Sequence, residues 1–304
     1  MSREYHDSRG ERLTREQVQR IPPDQLAVNS GIALRVLPDL EALYDAIAET
    51  MVEVMLQKDR GKTTMILPVG PVGQYPLFAH KVAERGIDCR NLWTFNMDEF
   101  LDRNGRTIPE SHAMSFRQVM METFFERIPA RLRMPIDQMF FPRHDNMDEI
   151  DHAFDEHAPE GVDLCLAGVG PEGHFAFNEN PNFNHVEVTE EEFLMDRTRL
   201  VIVNPSTVDM DALVASCGDR SAVPPFAVTI GPHDVLRAQR TEIIFFAGAF
   251  QRYALREVLF RKPTKRFPGT LLKLRKTSDG GLVPQRLTVW ATPAEAGIVT
   301  TQTI

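Results

Sequence analysis

Short apolar runs alternate with longer amphipathic stretches along most of this chain of 304 residues. Apolar runs at 63–70, 162–170 and 241–250 end in glycine-containing loops, and stretches such as 39–58 repeat their apolar positions with a helical period. Strand-length runs separated by amphipathic helices are typical of βαβ units, whose parallel strands pair in one sheet. The pattern predicts an α/β fold: a doubly wound, mostly parallel, Rossmann-like sheet of six or more strands with helices on both faces.

The same pattern continues through both halves of the chain without a proline-rich or serine-rich linker. Residues 1–304 are therefore predicted to form a single α/β domain. Residues 1–30 are polar, which predicts an N-terminal arm or a peripheral helix, and residues 293–304 are expected to form a short exposed tail. The polar stretch 180–196 lacks a regular period and is interpreted as a lid.

Composition narrows the classes of function. Lysine and arginine total 34 against 43 acidic residues, a net charge of -9, which argues against a nucleic-acid partner because such proteins need a broad basic face. The sequence has no apolar stretch of the length that a signal peptide or a membrane span needs, so we expect a cytoplasmic protein without a membrane partner. Cys89, Cys165 and Cys217 form no C-x-x-C pair, and neither a disulfide framework nor a thiolate zinc site is indicated.

Two sequence patterns resemble metal-binding or dinucleotide-binding motifs, but each lacks a feature that the motif requires. His144, His152 and His157 are spaced by eight and five residues, which does not place two imidazoles on one helical face as a zinc motif requires. The glycines of 168–173 match a dinucleotide fingerprint, but the following residues, HFAFNENPNFNH, do not predict the helix that this fingerprint needs. We therefore predict no metal and no cofactor.

Ligands of open α/β sheets collect at the carboxyl ends of the strands. The loop LPVGPVGQY, residues 67–75, follows one predicted strand and precedes a helix, where backbone N–H groups at Gly70 and Gly73 could cradle an anion. Its valines and prolines supply no hydroxyl group, however. A plain strand-to-helix turn is the alternative.

Two adjacent acids close the next strand, in FNMDEF. Neighbouring side chains of a strand point to opposite faces, so only one of Asp98 and Glu99 is expected to face the cleft. A carboxylate that is partly removed from water has a raised pKa and can act as a general base near neutral pH. The alternative is that both acids solvate a loop or cap the following helix.

The richest strand end is GVGPEGHFAFNEN, residues 168–180. Its glycines allow sharp turns, while Glu172, His174 and Glu179 project from one short loop. A histidine between two carboxylates is suited to acid–base work, because one acid can fix its tautomer and raise its basicity while the other shares the proton.

Together these stretches resemble a known family. NMDEF, followed by IPESHAMSF, and GVGPEGHFAFNE are similar to the two signature stretches of the glucosamine-6-phosphate deaminases, a sugar-phosphate isomerase/deaminase family related to the 6-phosphogluconolactonases. The likeness covers roughly residues 35–260. It implies that Asp98 moves a proton between carbons 2 and 1 of the open-chain sugar. It also implies that His174, supported by Glu179 and Glu172, opens the pyranose ring; the family usually has aspartate at the position of Glu172.

The resemblance also implies a set of substrate-binding residues. Gln251 occupies the position of the family's phosphate-binding lysine, so the next residue, Arg252, is the candidate cation for a phosphate. Arg197 and Arg199 are candidates for a second phosphate-binding arginine only because they lie in the corresponding region of the sequence. The predicted substrate-binding residues are Gly70, Gly73, Gly170, Gly173, Arg199 and Arg252.

The implied function is a cofactor-free aldose–ketose isomerisation and deamination of an amino-sugar phosphate. The leading reaction converts glucosamine 6-phosphate to fructose 6-phosphate and ammonia, with a small sugar phosphate as the partner and homo-oligomerisation left open. The alternatives are a sugar-phosphate lactone hydrolase, in which His174 activates water and Asp98 is dispensable, and a non-catalytic sugar-phosphate sensor.

Overall fold

The computed structural model describes residues 4–57, 61–181 and 187–297. The strands of this part are β1 (Tyr5–His6), β2 (Arg12–Leu13), β3 (Ala33–Val36), β4 (Thr63–Leu67), β5 (Leu92–Asn96), β6 (Asp98–Leu101), β7 (Met139–Phe140), β8 (Leu164–Gly168), β9 (Arg199–Ile202), β10 (Phe226–Thr229), β11 (Thr241–Ile244), β12 (Leu274–Lys276), β13 (Leu282–Pro284) and β14 (Leu287–Ala291). The α-helices are α1 (Arg15–Arg20), α2 (Leu26–Ser30), α3 (Leu40–Gln57), α4 (Gln74–Arg85), α5 (Phe116–Met120), α6 (Met147–His157), α7 (Glu190–Met195), α8 (Pro205–Ala215), α9 (Pro232–Val235), α10 (Arg252–Phe260) and α11 (Pro293–Ala296). A π turn, Met121–Phe125, continues α5.

The central sheet has seven strands in the order β3-β14-β11-β8-β4-β5-β7, and every neighbouring pair is parallel. This confirms the predicted doubly wound, mostly parallel sheet. The register pairs Leu67 with Asn96 and Ile244 with Gly168. The carboxyl ends of β4, β5, β8 and β11 therefore meet at one edge of the sheet.

Both faces of this sheet are buried, which explains the continuous apolar runs of its strands. In β4, Met65 and Leu67 belong to the buried cluster that contains α3 and α4. Ile66, between them, belongs to the cluster on the other face, which contains α6 and α10. The strand period of two thus distributes one run of apolar residues between two cores.

A second, three-stranded antiparallel sheet, in the order β6-β10-β9, lies beside the carboxyl edge. The run 91–100, predicted as one strand, is divided at Met97, whose N–H donates to Leu67 in the central sheet and whose carbonyl accepts from Ile230. The run RLVIVN likewise supplies β9 of this second sheet. Asp98 consequently begins a strand and does not end one.

The N-terminal segment contains two short helices, α1 and α2, so the peripheral helix predicted as one alternative for residues 1–30 describes it better than an arm. Among its described residues, Val18 and Leu26 are fully buried in the cluster that includes α10. The hydroxyl of Tyr5 donates to Glu257 at 2.6 Å. These few apolar side chains, spread among polar ones, attach the segment to the domain.

The predicted exposed tail, 293–304, begins instead with α11, which is capped by Thr292 and buries Glu295 and Ala296; residues 298–304 lie outside the described residues. Part of the predicted lid, residues 182–186, also lies outside them. The rest of that stretch includes α7, capped by Thr189 and anchored by the buried Phe193. No helix in the described part of the chain is long and apolar enough to cross a bilayer.

Candidate active site

A cavity of about 450 Å³ opens at the carboxyl edge of the central sheet. Its walls are the loops after β4, β8 and β11, the start of β6 and one side of α8. Asp98, His174, Thr207 and Asp211 are the polar side chains with ionisable or hydroxyl groups that line it. The edge at which the sequence predicted a site is therefore the edge at which these groups meet.

The two adjacent acids of β6 point in different directions. Asp98 lines the cavity. Glu99 points to the start of α5, where its carboxylate accepts hydrogen bonds from the N–H groups of Phe116 at 3.1 Å and Arg117 at 2.9 Å and from the hydroxyl of Ser115 at 3.2 Å. Strand alternation thus places one acid in the site and uses the other to satisfy the free N–H groups of a helix terminus.

We expect Glu99→Gln to lower the free energy of unfolding by about 2–4 kcal/mol, because an amide NH₂ would face donors that the carboxylate now accepts. Chemical denaturation measures this loss. The matched control is Glu110→Gln, which removes an exposed ion pair with Arg117 and should cost less than about 1 kcal/mol. A Glu99→Gln protein of wild-type stability would contradict the capping role.

Asp98 has the electrostatics of a general base. Burial, followed by the nearby charge of Glu99, raises the pKa of its carboxyl group to about 8, although the charge of His174 acts in the opposite direction. The side chain is only 7% exposed. Its anion is therefore much more basic than an ordinary carboxylate, as proton abstraction from carbon requires.

The loop after β8 depends on glycine at two positions. A Cβ at Gly170 would overlap the imidazole of His174, and a Cβ at Gly173 would overlap the ring of Phe267. Gly173 also has φ of 92°, and Ala176, which lines the cavity, has the unusual φ of 49°. The glycines thus let the loop fold under His174, and a strained backbone at such a position is typical of functional sites.

His174 is oriented by a hydrogen bond to Glu172, which is linked to Glu179 through Thr207. Its Nδ1 lies 3.0 Å from Oε1 of Glu172. The hydroxyl of Thr207 lies 3.0 Å from the same oxygen and also contacts Glu179, which accepts the N–H of Asn204 at 2.9 Å. If Glu179 is protonated, its hydroxyl group donates to Thr207 and the hydroxyl group of Thr207 donates to Glu172. Each hydroxyl hydrogen in this series then has an acceptor.

The pKa shifts of the three groups agree with that arrangement. Burial alone would lower the pKa of His174, but the hydrogen bond and charge of Glu172 raise it above its ordinary value. Burial opposes the ionisation of Glu172, yet the hydrogen bond and charge of His174 lower the pKa of that carboxyl group to about 2. Burial raises the pKa of Glu179. Glu172 is thus the ionised partner that favours an imidazolium at His174.

Glu172, His174 and Glu179 are also the group in the described residues that could offer three ligand atoms to a metal ion, all within 4.8 Å of one another. Their atoms are already engaged with one another, with Thr207 and with Asn204. A metal would have to replace these hydrogen bonds. The absence of a metal stays a prediction.

The predicted cation Arg252 lies outside the cavity. It is exposed, and its Nε donates to the carbonyl of Ala294 at 2.8 Å, near α11. Gln251 occupies the inward position: its Oε1 accepts the N–H groups of Phe246 at 3.0 Å and Ala247 at 2.8 Å. A 3₁₀ turn that leads into α10 turns Gln251 inward and Arg252 outward.

Arg199 is also absent from the cavity wall. Its guanidinium pairs with Asp196 at 3.2 Å and donates to Asn178 at 3.0 Å. Gly73 lies against the ring of Tyr44, which a Cβ would overlap. Of the predicted substrate-binding residues, Gly70 and Gly170 line the cavity, whereas Gly73, Gly173, Arg199 and Arg252 do not.

Sequence reasoning assigned no site residue to α8. Thr207 and Asp211 line the cavity from this helix, and burial raises the pKa of Asp211 to about 6. Their spacing of four residues places both on one helical face. That spacing was the available signal, but nothing local indicates which face of the helix meets the site.

Comparisons with known proteins identify similar sequences and similar folds. No protein-family model matches the sequence. The chain is 29% identical over 231 residues to a glucosamine-6-phosphate deaminase of Caenorhabditis elegans, covering 72% of this chain and 79% of that protein. It is 33% identical over 199 residues to glucosamine-6-phosphate deaminase 2 of Mus musculus, covering 62% of this chain and 63% of that protein. The match therefore spans less than two thirds of the mouse protein.

Solved structures share the fold. A monomeric glucosamine-6-phosphate deaminase matches with a TM-score of 0.71 at 19% identity, covering 88% of this chain and all of the other. A 6-phosphogluconolactonase from Thermotoga maritima matches with a TM-score of 0.59 at 17% identity, covering 86% and 99%.

The fold is thus the α/β fold of the class of proteins that contains these deaminases and lactonases. Within that class, the chain is related by sequence to the glucosamine-6-phosphate deaminases. The predicted resemblance to this family is thereby confirmed.

Proposed function

We propose that this chain catalyses a cofactor-free aldose–ketose isomerisation of an amino sugar with release of ammonia. The observation that carries the proposal is that Asp98, with its pKa raised to about 8, faces the same cavity as a histidine paired with Glu172. The names of the sequence relatives favour deamination over lactone hydrolysis and make glucosamine 6-phosphate the reference substrate.

His174 acts first in the proposed reaction. It moves a proton from the hydroxyl group on carbon 1 to the ring oxygen, which opens the pyranose and exposes an aldehyde. The ionised Glu172 stabilises the imidazolium that forms on the way. Proton transfer by a positioned side chain contributes about 10²- to 10⁴-fold to a rate.

Asp98 acts second. Its carboxylate removes the proton from carbon 2 while the substrate's ammonium group gives up a proton to the aldehyde oxygen, so that an enolamine forms, and the resulting carboxylic acid returns its proton to carbon 1. Carbon 2 then carries an imine, to which water adds, and ammonia leaves as the ketose forms. The last step is a hydrolysis of a carbon–nitrogen double bond, while the preceding steps are an isomerisation.

The test is to incubate the purified protein with glucosamine 6-phosphate and, separately, with glucosamine, and to quantify ammonia and ketose in the same samples. We expect equal amounts of both products from at least one sugar, at the same rate with and without EDTA. The Asp98→Asn variant, assayed in the same way, is the negative control. Turnover of 6-phosphogluconolactone that survives Asp98→Asn, with no ammonia from either amino sugar, would instead support the lactone hydrolase.

A further inference from the structure

The cavity contains no lysine or arginine among the described residues that line it. Apart from Asp98, His174, Thr207, Asp211 and Gln251, the side chains of its wall are apolar, among them Val69, Val72, Phe246 and Phe250. Among the described lining residues, His174 is the one whose side chain can carry a positive charge, and Glu172 already neutralises it. Nothing charged in this wall therefore matches a phosphate dianion.

Backbone N–H groups do not replace the missing cation in the loop after β11. Those of Phe246 and Ala247 donate to Gln251, and that of Gly248 donates to the carboxylate of Glu295. Three successive N–H groups of the kind that form an anion-binding nest are thus already occupied. The carboxylate behind them makes the loop still less favourable for an anion.

The loop after β4 supplies little positive charge that could balance a phosphate. Pro71, which lines the cavity, has no N–H group. The amino end of α4 follows at Gln74, and a helix terminus carries about half a positive charge. A phosphate dianion would have to leave water for a wall without lysine or arginine, where this partial charge and the N–H groups of Gly70 and Val72 are its remaining compensation, which is unfavourable.

An acidic side chain in the cavity wall suits a cationic amine. Burial raises the pKa of Asp211 to about 6, so this lining residue is negative at neutral pH or slightly above it, while the charge of Glu172 is balanced by His174. Negative groups around a cavity raise the local concentration of cations. The cavity thus combines an acidic side chain with a largely apolar wall.

We propose that the substrate of this site is an amino sugar without a phosphate, whose carbon-6 end is uncharged and apolar, as in a 6-deoxy sugar. The proposal rests on the proposed function, because Asp98 and His174 must act at carbons 1 and 2 for carbon 6 to face Val69, Val72, Phe246 and Phe250. Burial of one methylene group strengthens binding by about fourfold, so an apolar end is favoured over a hydroxyl group or a phosphate.

The test compares kcat/KM for glucosamine, 2-amino-2,6-dideoxyglucose and glucosamine 6-phosphate. We expect the 6-deoxy sugar to be the best substrate and the phosphate ester to be at least about 100-fold poorer, a difference of about 2.7 kcal/mol. If glucosamine 6-phosphate is turned over as well as the neutral sugars or better, this inference is overturned while the proposed deamination stands.

Titration calorimetry with the same three sugars keeps the inference testable if none is deaminated, an outcome that removes the proposed function. Tighter binding of the 6-deoxy sugar than of glucosamine 6-phosphate supports an apolar subsite without depending on turnover. Tighter binding of the phosphate ester overturns the inference, and so does failure of the 6-deoxy sugar to bind at millimolar concentration.

Adding a positive charge to the cavity wall tests whether the lack of a cation is the cause of the expected selectivity. Phe250 lines the cavity and is 46% exposed, so substitution there should leave the fold intact. We expect Phe250→Arg to raise kcat/KM for glucosamine 6-phosphate by about tenfold or more, whereas Phe250→Met, of similar length and without charge, should not. An equal response of the two variants would show that the missing cation does not determine selectivity.

Discussion

Replacing Asp98 by Asn should lower kcat of the proposed deamination by about 10²- to 10⁴-fold, because the amide fits the same space but cannot remove a proton from carbon 2. Steady-state release of ammonia measures the loss. In the wild-type protein, kcat/KM should rise with pH until it levels off above about 8, where Asp98 is ionised. A pH profile without this rise would remove Asp98 from the role of base.

The same substitution should stabilise the protein, which separates a lost base from a damaged fold. Burial raises the pKa of Asp98 from 3.8 to about 8, so the folded state disfavours the charged form. The resulting cost is absent below pH 3.8, grows as the pH rises and is complete above about 8. It is on the order of a few kcal/mol, and Asp98→Asn removes it.

Scanning calorimetry at about pH 5 and about pH 9 checks the sign, since the linkage grows between these values. The gain in Tm of Asp98→Asn over the wild type should be larger at the higher pH. A lower Tm at both values would show that the carboxyl group supports the fold and would leave the loss of activity open to a structural explanation.

Glu172→Gln is expected to have the second large effect and to lower kcat by about 10²-fold or more. The amide keeps the shape of the side chain but removes the charge that raises the pKa of His174 and that stabilises its imidazolium. An NMR titration of the His174 ring should show a lower pKa in the variant than in the wild type.

Ser206→Ala is the matched control for Glu172→Gln. Its hydroxyl group lies 3.1 Å from Oε1 of Glu172 and 2.8 Å from Oδ1 of Asn204, so this variant removes these polar contacts and leaves the charge of Glu172. We expect kcat to stay within about threefold of the wild type, in line with a net loss below 1 kcal/mol. If Glu172→Gln left both kcat and the His174 titration unchanged, Glu172 would not be a positioning residue for His174.

The short-range geometry of the site could be predicted from the sequence because it depends on neighbouring residues. The period of two that separates Asp98 from Glu99 follows from the pleat of a strand. Glycines at 170 and 173, close to His174, indicate a sharp turn in any fold that places this loop after a buried strand. The central sheet followed from the alternation of apolar runs and amphipathic helices, because parallel strands buried on both faces need that alternation.

The sequence by itself therefore determined the class of fold, the strand ends that face the cleft, and the acid–histidine–acid loop. Only the tertiary structure decided that Thr207 and Asp211 join the site from α8, that β6 belongs to a second sheet, and that Gln251 faces the cavity while Arg252 faces away. The physical reason is that these outcomes depend on how distant segments pack and on the angle at which a helix begins, and local residue patterns do not contain either.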